Sequence, residues 1–225
     1  MPIGVFHWES LLTMDCAPTF SFEERLWQEG YNYIAGIDEV GRGALAGPVV
    51  AGAVILPKAA SHSLQWLDVR DSKLLSPEER TVSAQWIQQN AVSWAVGEMP
   101  ASTIDEVNIA VATRQAMKQA VENLSTRPDY LLIDWVKLPS INLPQESPVK
   151  ADMHIVSVAA ASILAKVYRD QRMVDLGIHF PSYGFAQNKG YGTKSHRLAL
   201  ETFGPCIEHR HSFSPIAKKR TLFES

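Results

Sequence analysis

Four acids in the chain are placed where carboxylates do chemistry together. Asp38 and Glu39 close the apolar run Tyr33 to Ile37, Asp134 closes Tyr130 to Ile133, and Asp152 opens the block ADMHIVSVAAASILAKVYRD. Each stands at the end or entry of an apolar element that would fix it rigidly. Ending a buried strand on two carboxylates is unfavourable unless something cationic meets them. Four converging at one sheet edge cannot all stay ionised without counter-cations. Hard oxygen ligands select Mg²⁺ or Mn²⁺, and the scarcity of imidazole beside them argues against zinc. Any one of these acids alone is accounted for as a solvated surface residue; the set of four is better explained as a metal site. Successive strand residues point to opposite faces, so Asp38 and Glu39 share a site only if the strand ends or bends between them.

Gly41 and Gly43, which follow at once, permit such a bend. Two other readings of Gly41-Arg42-Gly43 and Gly47-Pro48 compete. A dinucleotide-binding turn would open a helix and would not set acids beside the pyrophosphate. Here the glycines lead into a second strand-like run, Val49 to Leu56, so that reading is poor. An ordinary β-turn does not explain why an Asp-Glu pair stands directly before it.

The elements that must position these residues follow from spacing. Ser21 with Glu24 forms a capping box for a short helix to about Glu29, and the two opening strands form an antiparallel hairpin. Residues 57–75 are expected to be loop. Ser76-Pro77-Glu78-Glu79 starts a helix that runs to about Asn90, and Val92 to Met99 is a strand. A single helix is expected from Ser102 to Leu124, then the strand ending at Asp134, then a loop with Pro139, Pro144 and Pro148. After an extended entry at Asp152, a helix from about Ser157 to Val174 is stopped by Gly177. YGFAQNKGYGT reads as a glycine-rich loop, and Thr193 to Phe203 as a helix. Strands alternating with helices after a hairpin indicate an α/β fold with a mixed sheet.

Of the 225 residues 46% are hydrophobic and 20% charged, which describes a globular chain. No uninterrupted apolar run has membrane-spanning length, residues 1–18 read as a lead-in without a signal-peptide pattern, and Cys16 and Cys206 give neither a metal spacing nor a disulfide framework. A reduced, cytoplasmic protein is expected. The net charge of −3 conceals an asymmetry: residues 1–149 hold 10 Lys/Arg against 18 Asp/Glu, residues 150–225 hold 11 against 6. An acidic part that holds metal and a basic part that touches phosphate fit this division.

GIDEVGRG, DSK-LS, the Asp134 strand, AAASILAKVYRD, YGF--NKGYGT and HR-SF, in this order, resemble bacterial ribonuclease HII, the type 2 ribonucleases H, over roughly Phe22 to Pro215. The resemblance implies a ribonuclease H-like catalytic domain, residues 19–177, built on a five-stranded mixed sheet flanked by helices. A small C-terminal helical region and tail, residues 178–225, would help bind substrate. It implies hydrolysis of the RNA strand of RNA–DNA hybrids and incision at single ribonucleotides in duplex DNA, with two divalent ions held by Asp38, Glu39, Asp134 and Asp152. Gly41, Arg42 and Gly43 match the turn whose backbone reads a 2′-hydroxyl, the group that separates RNA from DNA. Tyr191 matches the tyrosine that packs against the sugar on the DNA side of the junction. Ser72, Lys73, Lys189 and Lys194 are candidate phosphate contacts, and His196, His209 and His211 are read as structural or phosphate-adjacent. The tail, through Leu222 and Phe223, is a candidate for docking a sliding clamp, and a monomer is expected. Ala44, Trp135, Ala151 and Asn188 depart from the family's usual residues; none removes a metal ligand. The alternatives are a catalytically silent hybrid-binding protein, disfavoured by the four acids, and a different metal-dependent phosphotransferase on the same fold, such as a Holliday-junction or DNA-only nuclease, disfavoured by Tyr191 and the hydroxyl-reading turn.

Overall fold

The computed structural model describes residues 17–217, apart from 68, 70, 71, 73 and 74. In chain order the elements are α1 (Ser21–Gln28), β1 (Ile34–Val40), β2 (Val49–Ile55), α2 (Leu64–Leu67), α3 (Pro77–Asn90), β3 (Ser93–Met99), α4 (Ala101–Val107), α5 (Ile109–Glu122), β4 (Tyr130–Ile133), β5 (Gln145–Glu146), α6 (Val156–His179), α7 (Phe185–Asn188) and α8 (Lys194–Phe203). The strands form one sheet in the order β3-β2-β1-β4-β5. β2 is antiparallel to both β1 and β3, and β4 is parallel to both β1 and β5. This is the expected hairpin and the expected five-stranded mixed sheet.

Alternation along the strands divides the core. Ala35, Ile37, Ala51, Ala53, Leu131 and Ile133 pack against Ile104, Ala112, Ala116 and Met117 of α4 and α5. On the opposite face Val54 meets Val156, Ala159, Ala160 and Ile163 of α6. That helix lies unusually close to the sheet. A Cβ on Gly36 would stand 2.2 Å from the Ser157 carbonyl carbon, and one on Gly52 2.3 Å from the Ala161 oxygen. The small residues of α6 and the two sheet glycines therefore select each other. Asp38 pairs with Gly52 in the sheet register, so its side chain emerges on this same face, beside α6.

Several expected boundaries move, each for a local reason. The Ser21–Glu24 capping box is not formed: Phe20 is the N-cap, and the Ser21 hydroxyl pairs instead with Thr19 at 3.0 Å. The functional cap in this region is Glu23, buried, which accepts from the Ser157 amide at 2.9 Å and so satisfies a free N–H at the start of α6. The box at Ser76 and Glu79 is formed in both directions. The single helix over 102–124 is two, broken at Asn108, whose φ of 70° and ψ of 164° end α4 while its carboxamide accepts from Ala110 and Val111 to start α5. Residues 57–75, expected to be loop, include a 3₁₀ turn at Lys58–His62 and α2. Similarly β5 forms within the Pro139–Pro148 loop, and α7 within the glycine-rich loop. Gly177 does not stop α6, which continues to His179; a Cβ there would lie 2.9 Å from the Ala186 nitrogen, so this glycine serves the contact with α7. Among the described residues, no helix is long and apolar enough to cross a membrane.

Candidate active site

The parallel pairing of β1 with β4 stops at Ile37 and Ile133. Beyond it the strands part, and a crevice outside the carboxyl ends of parallel strands is where α/β sheets place their ligands. A cleft of about 420 Å³ opens there, lined by Asp38, Glu39, Val40, Ser72, Asp134, Asp152, Ser162, Lys166 and Tyr191. All four candidate acids reach it. β1 continues unbroken through Asp38 and Glu39, paired with Gly52 and Ala51, so no bend between them is needed. Both reach the cleft because it spans the strand end rather than one face of the sheet.

Each acid is held by its element. Asp38 is buried, and its Oδ1 accepts from the Glu39 amide at 2.7 Å. Asp134 accepts from the Ala151 amide at 2.7 Å, which ties the end of β4 to the 3₁₀ turn Ala151–Met153 carrying Asp152. Glu39 accepts from the Trp135 indole at 3.2 and 3.3 Å, and Arg42 lies 3.6 Å away. Burial pushes the Asp38 carboxyl well above the usual carboxylate range; the charges of Glu39, Asp134 and Asp152 push the same way, and the Ser162 hydroxyl opposes them. Burial likewise raises Glu39, against the opposing effects of Arg42 and the Trp135 hydrogen bond. Among the described residues, no three His, Cys, Asp or Glu side chains are already drawn together as a metal cage. Four oxygen donors lining one cleft, one of them strongly disfavoured as an anion, nevertheless form a donor set that fits hard divalent cations.

Two buried arginines hold the turn beside the acids. Arg169 of α6 donates to the carbonyls of Pro48, Lys189 and Ala46 at 2.9, 2.9 and 3.2 Å. Arg210 donates twice to the Gly47 carbonyl, at 3.1 and 2.9 Å, and once to that of Arg42 at 2.8 Å. Gly41 has a φ of 90°, and a Cβ on it would stand 2.0 Å from Arg169 Nε, so glycine is required there on both counts. A Cβ on Gly43 would meet nothing within 4 Å, which leaves that backbone open to a ligand. Arg42 lays its guanidinium 4.1 Å from the Trp135 ring centre. Trp135 adopts a φ of 52°, a left-handed backbone, so this departure keeps a glycine-like conformation and adds a ring that touches both Glu39 and Arg42.

Tyr191 lines the cleft, its ring 5.3 Å from the Arg169 guanidinium carbon. Its loop is bound to the turn, since Leu45 and Ala46 donate to the Gly190 carbonyl at 2.8 and 3.2 Å. Asn188 closes that loop, donating to the Tyr183 carbonyl at 2.7 Å and accepting from Gly190 at 2.8 Å. Ser72 is buried and pairs with Ser162 at 3.0 Å. Lys189 and Lys194 stand outside the cleft lining; Lys189 donates to the Ala186 carbonyl at 2.6 Å, and Lys194 is exposed at the start of α8. Lys73 and the residues of the suggested clamp contact lie outside the described residues. Sequence reasoning missed Ser162 and Lys166, which line the cleft, and the carbonyl-binding Arg169 and Arg210. The i, i+4 spacing of Ser162 and Lys166 on one helix face was the available signal; Lys166 pairs with Asp170 at 2.8 Å.

A five-stranded mixed sheet with helices on both faces, and acids at the parting of its central parallel strands, is the ribonuclease H-like fold. The ribonuclease H2 of Pyrococcus horikoshii shares it, with a TM-score of 0.73 at 23% identity over 86% of this chain and 99% of that one. An Archaeoglobus fulgidus RNase HII, solved in complex with PCNA, matches with a TM-score of 0.70 at 26% identity over 81% and 95%. The family model for ribonuclease HII matches residues 35–215. Curated ribonucleases HII from a Geobacillus species and from Halalkalibacterium halodurans are 52% and 47% identical, over 87% and 92% of this chain and 69% and 77% of their own length. The chain belongs to the ribonuclease HII family.

Proposed function

We propose that the protein is a divalent-metal-dependent endoribonuclease that cleaves the RNA strand of RNA–DNA hybrids and incises 5′ to single ribonucleotides in duplex DNA. The products carry 5′-phosphate and 3′-hydroxyl ends. The observation that carries this reading is the convergence, in one cleft, of four carboxylates from three separate elements with Tyr191, beside the Gly41–Gly43 turn. Asp38, Glu39, Asp134 and Asp152 would hold the metal. Bound divalent ions supply a lowered pKa for the attacking water and charge neutralisation at the departing oxygen.

The chain's own groups do the rest. The open backbone at Gly43 and the polar groups of the turn, fixed from behind by Arg169 and Arg210, present a rigid surface for a 2′-hydroxyl. Tyr191 offers a flat ring against the neighbouring deoxyribose. Lys166 adds a cation to the acidic wall, and its pairing with Asp170 orients the ammonium. Ser72, Lys73, Lys189 and Lys194 are assigned to backbone phosphates, and the tail to a sliding clamp, the kind of partner seen with the archaeal relative.

The test is incision of a DNA duplex containing one ribonucleotide, with Mg²⁺, with Mn²⁺ and with chelator. Metal-dependent cutting 5′ to the ribonucleotide, absent on all-DNA duplex, supports the reading. Tight hybrid binding without cleavage under either metal replaces it with a silent binding protein.

A further inference from the structure

Behind Tyr191 runs a buried chain of polar groups that the cleavage chemistry does not use. His196, in the first turn of α8, and His209, in the segment after it, are both fully buried, with their Nε2 atoms 3.0 Å apart. At one end His209 Nδ1 lies 2.9 Å from the Cys206 backbone nitrogen and 3.1 Å from its Sγ. At the other, His196 Nδ1 lies 2.9 Å from the Tyr191 carbonyl oxygen. The rings of Tyr183 and Phe185 enclose the pair, at 4.7 to 5.5 Å between ring centres.

The end groups dictate where the protons are. A backbone N–H can only donate and a carbonyl can only accept. His209 Nδ1 therefore accepts from Cys206, and the His209 proton sits on Nε2. It donates to His196 Nε2, which must be bare, so the His196 proton sits on Nδ1 and is donated to Tyr191. Both rings are neutral, and the chain has one direction, from Cys206 to Tyr191. A proton added to either ring would set two N–H groups against each other. Burial holds both imidazoles below their ordinary range, His209 at about 4, in keeping with this arrangement.

What the chain reaches is a peptide flanked by two glycines. Tyr191 lies between Gly190 and Gly192, and its carbonyl already accepts from the Thr193 amide at 2.8 Å, so His196 Nδ1 at 2.9 Å is a second anchor, from a side chain, on the same oxygen. His196 reinforces its orientation, because its ring is carried by a helix whose first turn is capped by Thr193, the hydroxyl accepting from the His196 amide at 3.2 Å. We propose that His209 and His196 are positioning residues for junction recognition, holding the Tyr191 peptide through a hydrogen-bond chain of fixed direction. The proposal rests on the reading of Tyr191 as the group that meets the deoxyribose.

The tautomers are read directly by long-range proton–nitrogen correlation on the histidine rings of the whole protein at neutral pH. The expected pattern is neutral His196 protonated on Nδ1 and neutral His209 protonated on Nε2; His196 protonated on Nε2 overturns the proposal. Function is read as the ratio of kcat/KM on a duplex with one embedded ribonucleotide to that on a continuous RNA–DNA hybrid. In His209→Leu, which leaves His196 without its donor, this ratio falls about fivefold, the effect of one weakened hydrogen bond, while kcat on the hybrid is kept. His209→Gln, which retains a donor toward His196, restores most of the ratio. An unchanged ratio in His209→Leu, with Tyr191→Ala lowering it, overturns the positioning role alone. An unchanged ratio in Tyr191→Ala removes the reading of Tyr191, and the proposal falls with it.

Discussion

Asp38→Asn separates what the acid cluster does for catalysis from what it does to stability. Asp38 is 5% exposed and shares the cleft with Glu39, Asp134 and Asp152. Burial is the larger cost of ionising Asp38, and neighbouring like charges add to it; at an assumed separation of about 5 Å and an effective dielectric constant of about 20, one such pair repels by roughly 3 kcal/mol. The Glu39 amide and the Ser162 hydroxyl offset part of this. Replacing the carboxylate by an isosteric amide should therefore stabilise the metal-free protein at pH 7.5 by about 2 kcal/mol, which for a chain of this size raises Tm by about 4 to 8 °C. Cleavage should fall by at least about a hundredfold. The pH dependence has a definite sign. The folded-state pKa of Asp38 lies above its ordinary value of 3.8, so its ionisation removes stability as pH rises through that folded value. The advantage of the Asn variant should thus vanish as pH falls toward 4. Divalent cation should raise the wild-type Tm in proportion to the logarithm of its concentration, and raise that of Asp38→Asn much less. The assay is thermal unfolding with chelator and with Mn²⁺, across pH. An Asn variant no more stable than wild type in chelator at pH 7.5 would refute the argument that burial and neighbouring acids disfavour the Asp38 carboxylate when no metal is bound.

Three further outcomes are expected. Tyr191→Ala should lower selectivity for a ribonucleotide–deoxyribonucleotide junction by about tenfold while changing Tm little, as the apolar contact of the ring with the deoxyribose, about 1.5 kcal/mol, is lost, measured by cleavage of paired substrates. Gly36→Ala should destabilise the fold by about 3 kcal/mol, because its Cβ would meet the Ser157 backbone at 2.2 Å and neither β1 nor α6 can yield; denaturant unfolding measures it. Asn108→Gly should stabilise by about 1 kcal/mol, because it relieves a φ of 70° at a ψ of 164°, a region suited to glycine, and loses only a few tenths in capping; the same unfolding assay decides.

The four acids drew notice because each follows or opens an apolar element; the four strands expected from apolar runs and alternation are observed, and β5 forms in addition within the expected loop. Asp38 and Glu39 looked incompatible with one site unless the backbone bent. The resolution is that the cleft spans the end of the strand, a property of where β4 stops pairing, which no residue of β1 records. Gly177 misled because a residue that can end a helix was weighed by local propensity, whereas its contact with Ala186 decided the outcome; Asn108 did the reverse, its cap to Ala110 dividing the single helix expected across it. Trp135 was visible as a departure, but its contacts with Glu39 and Arg42 depend on packing across the sheet.

Legible in the sequence itself, then, were the acids at the ends of apolar elements, the hairpin, the helix start boxed by Ser76 and Glu79, and the glycines beside the acids, because these are local matters of residue type and period. The tertiary structure decided which groups stand behind them. Arg169 is 121 residues from Pro48 and Arg210 is 163 from Gly47, and they meet those carbonyls only because α6 and the C-terminal segment fold back onto the turn. His196 and His209 acquire a fixed proton arrangement only when burial removes water as an alternative partner for their ring nitrogens.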